Sequence, residues 1–373
     1  MDLPPPSRPT RSGFTLIELL VVVVIIGILV ALLAPAIFGA IRTARDAAVI
    51  AEINAMANSM ASFHDRYGEY PPSRVILSEN GYYATDLTVA LSAVTFSPSI
   101  TLPSGIDDLS YGQLAQRSLR AMRKMFPRVT FSTSGSVGML YDFNGDGAVD
   151  ANAPTSGGNT GGILAEGDEA LTFFLGGIPS VDASGPIGMS GFGKNPQNPF
   201  VNDINTQSRD KSFFEFRAER LYDFDGDGMP SYIDTLGTGN DGRPYAYFVA
   251  HPGVGYDPND CNTNADSTGT MLQTFNLGFA VSSGNLYTTS PGPNPYTSSA
   301  PAPTTGTSLR TASFINQNSF QIISAGRDRN YGVGGQFLSS GTNGKLPVSA
   351  DSTVTNRQAE NDNLTNFATQ RLE

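Results

Sequence analysis

The chain opens with a polar, proline-rich stretch, MDLPPPSRPTRSG, and turns apolar at once from Phe14 onward. From Leu19 to Ile41 no residue carries a charge, and Arg42 and Arg45 close the run. A helix over those positions rises about 34 Å, enough to cross a hydrocarbon core of about 30 Å. Beyond Arg45 the pattern changes rather than stops. Val49, Ile53, Met56, Met60, Phe63 and Tyr67 recur at alternating steps of four and three, one apolar stripe on an amphipathic helix. Gly68 and Pro71-Pro72 end it. The spacing predicts a single helix from about Phe14 to Tyr67. Its first half is apolar on every side and its second half on one face only, so a head domain must cover that face.

Past this helix the periodicity shortens. Apolar runs of strand length fall at 129–132, 137–141, 171–175, 245–250, 272–281 and 319–324. Helical crossover patterns between them are scarce, which predicts an antiparallel sheet. One further helix is expected, capped by Asp107 or Asp108 and running to about Met125. Its Arg117, Arg120, Arg123 and Lys124 read as a solvated face. Stretches 152–162 and 290–308 are rich in Gly, Ser, Thr, Pro and Asn and read as loops.

Composition narrows the function. Lys and Arg number 23 against 34 Asp and Glu, a net charge of -11, which argues against a broad nucleic-acid-binding face. The 40 Gly and 25 Pro fit many turns and long irregular loops. Cys261 stands alone, so no internal disulfide forms. His64 and His251 are the two histidines, too little material for a His-based triad or a zinc site. Neither a phosphate-binding nor a dinucleotide-binding fingerprint occurs. The chain is therefore read as structural or binding, not as an enzyme.

The apolar run is too long for a secretory signal peptide, whose apolar region spans about 7–15 residues. Arg8 and Arg11 ahead of it favour a cytoplasmic N-terminus, and Arg42 and Arg45 behind it weaken that bias. A plain anchor does not account for Glu18. A carboxylate in an apolar segment is costly and marks function with a nearby partner. If cleavage exposes the amine of Phe14, that amine on a neighbouring subunit is the natural partner.

Gly13-Phe14-Thr15-Leu16-Ile17-Glu18-Leu19-Leu20-Val21-Val22 closely resembles the processing motif of type IV prepilins and type II secretion pseudopilins. The resemblance implies that a prepilin peptidase cuts between Gly13 and Phe14 and methylates Phe14. It places Glu18 in assembly, and Pro35 where the family bends its helix. The implied fold is α+β and pilin-like: a long N-terminal helix packed on a small antiparallel sheet with long loops. Residues 1–13 are then a leader, 14–67 the helix with its membrane part at about 16–41, and 68–373 the head.

Within the head, Arg66-Tyr67-Gly68-Glu69-Tyr70-Pro71-Pro72-Ser73 resembles the helix-to-loop junction of major pseudopilins, and about 75–220 reads as an insertion. Asp241-Gly242-Arg243-Pro244-Tyr245 partly matches the pattern that opens a strand there. Phe320–Asp328 resembles the last core strand and following loop, and Asn361–Phe367 the end of that loop. The family's loop holds Ca²⁺, which makes Ser324, Asp328 and Asp362 candidates by resemblance.

The sequence also contains an echo. Tyr141-Asp142-Phe143-Asn144-Gly145-Asp146-Gly147 recurs as Tyr222-Asp223-Phe224-Asp225-Gly226-Asp227-Gly228. Oxygens at alternate residues with Gly sixth form the front half of an EF-hand-type Ca²⁺ loop. Asp142, Asn144, Asp146 and Asp150 take those places in the first loop, with a carbonyl from Ala148. Asp223, Asp225, Asp227, Ser231 and Asp234 take them in the second. Neither has the closing Glu or clear flanking helices, so these would be isolated loops similar to those of dockerin or thrombospondin repeats. A polar β-turn is the alternative reading.

Together these features lead us to expect a pseudopilus subunit, with a type IV pilus subunit as the alternative. A membrane-anchored, calcium-dependent binding protein that does not polymerise is the reading from another class. Expected partners are the prepilin peptidase, copies of the chain and other pilins in a filament, and an inner-membrane assembly platform. The chain should cross the inner membrane once with its head outside the cytoplasm, the mature form lying in a periplasmic or surface filament.

Overall fold

Helix α1 spans Leu16–Tyr67, 52 residues that continue through Pro35. The structure, a computed structural model, describes residues 14–83, 111–133, 139–149, 163–182, 185–201, 208–224, 226–237, 239, 242–251, 255–256, 295–298, 313–332, 334–340, 345–347 and 357–372. The chain divides into two compact units, Met1–Ala47 and Ala48–Glu373.

In the first unit α1 is long and apolar enough to cross a membrane. Leu16, Val23, Leu32 and Phe38 are all more than half exposed, and the helix is apolar all round as its sequence requires. In the second unit the same helix buries Val49, Ile53, Met56, Met60 and Phe63, the expected stripe. Each such side chain contributes about 1.5–3 kcal/mol on burial. The ring of Phe63 packs on Tyr67 at 4.5 Å, Phe213 at 5.3 Å and Phe174 at 6.0 Å.

Two further helices follow, α2 (Tyr111–Met125) and α3 (Gly167–Gly176). The first ends where the sequence placed its end; Asp107 and Asp108, its expected caps, lie outside the described residues. The second corrects an expectation. Residues 171–175 form a helix, not a strand. Every residue of α3 is buried, so its apolar run LTFFL carries no face period to tell helix from strand.

The strands, in chain order, are β1 (Val75–Leu77), β2 (Ile163–Ala165), β3 (Pro179–Asp182), β4 (Gly185–Met189), β5 (Leu221–Tyr222), β6 (Ser231–Tyr232), β7 (Ala246–His251), β8 (Gly255–Tyr256), β9 (Tyr296–Thr297), β10 (Phe320–Ser324), β11 (Gly335–Gln336) and β12 (Leu364–Thr365). The main sheet has the order β12-β10-β7-β8 and is antiparallel throughout. Phe320 faces Val249 and Ile323 faces Ala246 across its centre. Central strand β10 is buried along its whole length. Four two-stranded pieces accompany it, β1-β2, β3-β4 and β5-β6 antiparallel and β9-β11 parallel. The fold is thus α+β and pilin-like, a long helix followed by small, mostly antiparallel sheets.

Two expected strands, at 245–250 and 319–324, are β7 and β10. The run at 129–132 forms only a single bridge, from Ser132 to Tyr82. The part of 137–141 that is described, 139–141, is not strand, and 272–281 lies outside the described residues, as do Cys261 and 152–162. His64 is half-buried, its ring tilted at 35° against Tyr70 with centroids 4.6 Å apart.

Candidate functional site

Phe14 and Thr15 precede α1 and are exposed; Gly13 lies outside the described residues. The helix starts at Leu16 because Thr15 and Glu18 close a reciprocal cap. The Thr15 N–H donates to Glu18 Oε2 at 2.9 Å and the Thr15 hydroxyl donates to the same oxygen at 2.8 Å. The Glu18 N–H donates back to Thr15 Oγ1 at 3.3 Å. A Thr followed three residues later by Glu is the capping-box pattern, which satisfies amide donors that the first turn leaves open. Glu18 therefore has a partner within the chain. Thr15 was not singled out from the sequence, although the Thr-x-x-Glu spacing carried the signal.

The first acidic loop is a chain of side-chain-to-backbone bonds. Asp142 Oδ2 accepts from Gly147 N–H at 3.1 Å, Asn144 Oδ1 from Asp146 N–H at 3.2 Å, and Asp146 Oδ1 from Ala148 N–H at 2.7 Å. The other Asp142 oxygen, Oδ1, is buried without a hydrogen bond. Burial raises the Asp142 carboxyl above its ordinary value, partly offset by the N–H groups of Gly147 and Gly145. Asp150 lies outside the described residues.

The second loop repeats this wiring. Asp223 accepts from Gly226 N–H at 2.7 Å and from Gly228 N–H at 3.0 Å, and Asp227 Oδ1 from Met229 N–H at 2.7 Å. Asp225 lies outside the described residues. The two loops meet. Asn144 Nδ2 donates to the Asp227 carbonyl at 3.3 Å, and a Cβ on Gly228, whose φ is +88°, would lie 2.6 Å from Asn144 Nδ2. Only glycine permits that approach.

Ser231 and Asp234 bond elsewhere. The Ser231 hydroxyl donates to Asp168 Oδ2 at 2.8 Å. Asp234 Oδ2 accepts from the Ser324 hydroxyl at 2.6 Å, while its Oδ1 accepts from Leu236 N–H at 2.9 Å and Gly237 N–H at 3.2 Å. Burial raises the Asp234 carboxyl, with those donors offsetting part of the rise. In the C-terminal loop Asp362 Oδ2 accepts from the N–H groups of Arg327 at 2.7 Å and Asp328 at 3.1 Å. Asp328 Oδ1 accepts from Asn330 N–H at 2.8 Å. Burial and then the charge of Asp362 raise the Asp328 carboxyl. The structure thus brings Ser324 to Asp234, and Asp328 to Asp362. Among the described residues no group of three or more His, Cys, Asp and Glu is placed to hold a metal ion.

A cluster unforeseen from the sequence lies between α1 and the head. Glu52, on α1 in the second unit, accepts both guanidinium arms of Arg220, at 2.7 and 2.6 Å. It also accepts the hydroxyls of Tyr232 at 3.0 Å and Tyr245 at 2.5 Å. The Arg220 Nε–H donates to the Ile233 carbonyl at 2.9 Å, and the guanidinium lies 4.2 Å from the Tyr232 ring centroid. Burial opposes the charge on Arg220, but the Glu52 bonds overcome it. Burial, and after it the Glu52 charge, hold the Tyr245 hydroxyl well above its ordinary range. No local pattern announces partners 168 and 193 residues away from Glu52.

Residues 8–34 match the family described as the prokaryotic N-terminal methylation motif, the type IV prepilin/pseudopilin signal. That family comprises structural pilin-type subunits rather than enzymes. No curated protein and no solved structure matches the chain. The motif and the apolar helix mark a membrane-anchored protein, and the motif implies processing by a prepilin peptidase and assembly with other pilins.

Proposed function

We propose that this chain, which carries the type IV prepilin/pseudopilin signal at residues 8–34, is a structural subunit of a type II secretion pseudopilus. The observation that carries the reading is the signal itself, which runs into the first half of a helix whose apolar surface the chain leaves exposed. A peptidase removes residues 1–13 and methylates Phe14. The head faces away from the cytoplasm, and an inner-membrane platform packs the helices of successive copies and other pilins. Lipid covers the helix before assembly and neighbouring helices cover it afterwards. The choice of pseudopilus over pilus rests on the likeness of Phe320–Asp328 and Asn361–Phe367 to the last strand and loop of major pseudopilins. The experiment is Glu18→Ala in the native host. Filament formation or secretion is expected to stop while membrane insertion persists. Unchanged filaments and secretion would overturn the reading and leave a membrane-anchored binding protein.

Calcium bracing of the head is the second part of the proposal. Its support is the repeated wiring of the two loops and the buried, unbonded Oδ1 of Asp142, an oxygen that suits a hard cation. Asp142, Asn144, Asp146 and Asp150 would hold one ion, and Asp223, Asp225 and Asp227 another. Ser324, Asp328 and Asp362 stay the candidates of the C-terminal loop, though Ser324 is engaged with Asp234. Calorimetric titration of the detergent-solubilised chain tests this; the absence of both calcium heat and a melting shift sinks it.

A further inference from the structure

The apolar stripe of α1 is flanked on one side by a second series. Glu52, Ser59 and Arg66 are seven residues apart, and a seven-residue step turns a helix by only about 20° from whole turns. They stay on one flank, and each meets a different group of the head. Glu52 takes Arg220, Tyr232 and Tyr245. The Ser59 hydroxyl donates to the Phe213 carbonyl at 2.8 Å. Arg66 donates to Asp210 at 2.6 Å, its guanidinium also lying 5.8 Å from the Phe213 ring centroid. The opposite flank carries Ile50, Ala57 and His64, of which Ile50 and Ala57 have no polar side-chain atom to offer the head.

We propose that Glu52, Ser59 and Arg66 are a polar ladder that sets the rotational seating of α1 on the head. Apolar contacts are non-directional, and a stripe of Val, Ile, Met and Phe tolerates a roll of the helix by tens of degrees with repacking. The 68–74 segment ties down only the end after Tyr67, through Tyr247 O–H to the Pro71 carbonyl at 2.6 Å and Val249 N–H to Ser73 Oγ at 3.1 Å. Hydrogen bonds fall off steeply with angle. A roll toward either side would pull Glu52 from a four-donor site and leave Arg220 buried beside two phenols. The three rungs differ in character, an anion, a hydroxyl and a cation, so none substitutes for another at the next rung. A single polar residue fixes register in coiled coils by the same logic. The seating decides which residues of α1 remain outside, and here Ala51, Ala55, Asn58 and Ser62 are exposed. On the assembly reading above, that is the face offered to neighbouring helices, but the ladder itself is a property of the single chain.

The test uses the full chain in detergent with Cys261→Ser and spin labels at Ala61 and Lys211, both exposed and both in the second unit. The unaltered ladder should give one narrow distance. E52A/S59A/R66A should broaden or shift it, by about 4 Å for a 40° roll of a helix about 10–12 Å across. The reversed pair E52R/R220E should narrow it again relative to E52R alone. A wild-type distance in the folded triple variant overturns the proposal. If the triple variant does not fold, S59A/R66A, which leaves the Glu52 cluster intact, is read the same way: broadening supports the ladder and a wild-type distance overturns it. None of these readings needs a filament, so failure here is separate from failure of the assembly reading.

Discussion

Between Leu16 and Ile41, α1 leaves Leu32 and Phe38 more than half exposed, whereas from Val49 to Phe63 the same helix buries every member of its stripe to within one per cent. The residue types are alike, and the difference lies in arrangement. The second half pairs one apolar face with a polar flank, and the chain supplies the covering surface itself. The first half is apolar all round, and its covering must come from outside. Its Val21-Val22-Val23-Val24-Ile25-Ile26 run is β-branched and a weak helix former in water. In hydrocarbon the backbone has no alternative to helical bonding, so the run holds its shape there. One half is built for a partner and the other for its own fold.

The comparison breaks most sharply at the boundary with the leader. A Gly13→Val substitution should stop cleavage altogether. Mass spectrometry of the membrane fraction would then find position 13 still joined to Phe14, where the parent begins at a methylated Phe14. The second unit should be unaffected, because its contacts begin at Ala48. A cleaved Gly13→Val product would show that the first half is not read by a peptidase at this bond.

The reverse experiment damages only the second half. Arg220→Met removes one member of a pair whose side chains are 9% and 14% exposed. Breaking such a pair strands the other charge and costs about 3–5 kcal/mol. Denaturant titration of the solubilised chain should show that loss in the head's transition. Insertion of the first half in the membrane should not change. A shift under about 1 kcal/mol would place the pair in the class of weak surface bridges instead.

A smaller, pH-dependent effect is expected at the acidic loops. Burial raises the Asp142 carboxyl above its unfolded value near 3.8. A raised acid favours the folded state while protonated, so this contribution is present below that value and is lost as pH rises through the folded one. A bound cation neutralises the charged carboxylate. Calcium should therefore raise the melting temperature more as pH climbs through the raised Asp142 value and do little well below it. At a hundredfold excess over its dissociation constant the gain is about 2.7 kcal/mol. Asp142→Asn should flatten the pH dependence. An identical melting curve with calcium and with chelator at neutral pH counts against the loops as sites.

The same contrast explains what was legible in the sequence. Periodicity is local, so both halves of α1 and its end at Tyr67 could be read, as could β7, β10 and the end of α2. The helix start shifted from Phe14 to Leu16 because Thr15 is the cap rather than the first helical residue. α3 was misread because a segment buried on all sides has no face to reveal its period. The acidic echo was visible, but the contact between its two copies, Asn144 with Asp227, is not encoded by spacing. Ser231 and Asp234 counted correctly along a loop and then turned to Asp168 and Ser324. The Glu52 cluster depends on partners brought from Arg220 and beyond by the fold. Its one local trace was a lone acid on the flank of an apolar stripe.

The smallest effect bears on how each unit starts a helix. In the second unit α3 opens with the Glu166 N–H donating to Glu169 Oε2 at 3.3 Å, inside a fully buried helix. In the first unit Thr15 and Glu18 do the corresponding work in the open. An exposed helix end frays locally instead of taking the fold with it. Thr15→Ala should therefore cost about 1 kcal/mol. The cost should be confined to the first turn, raising hydrogen exchange at Glu18 and Leu19, whose N–H groups bond Thr15, about fivefold while Val49 to Phe63 keep their protection. Thr15→Ser keeps the hydroxyl and should restore the parent rate. If Thr15→Ala leaves the first turn unchanged, Glu18 is not held by the cap, and its carboxylate is free for a partner from another chain from the outset.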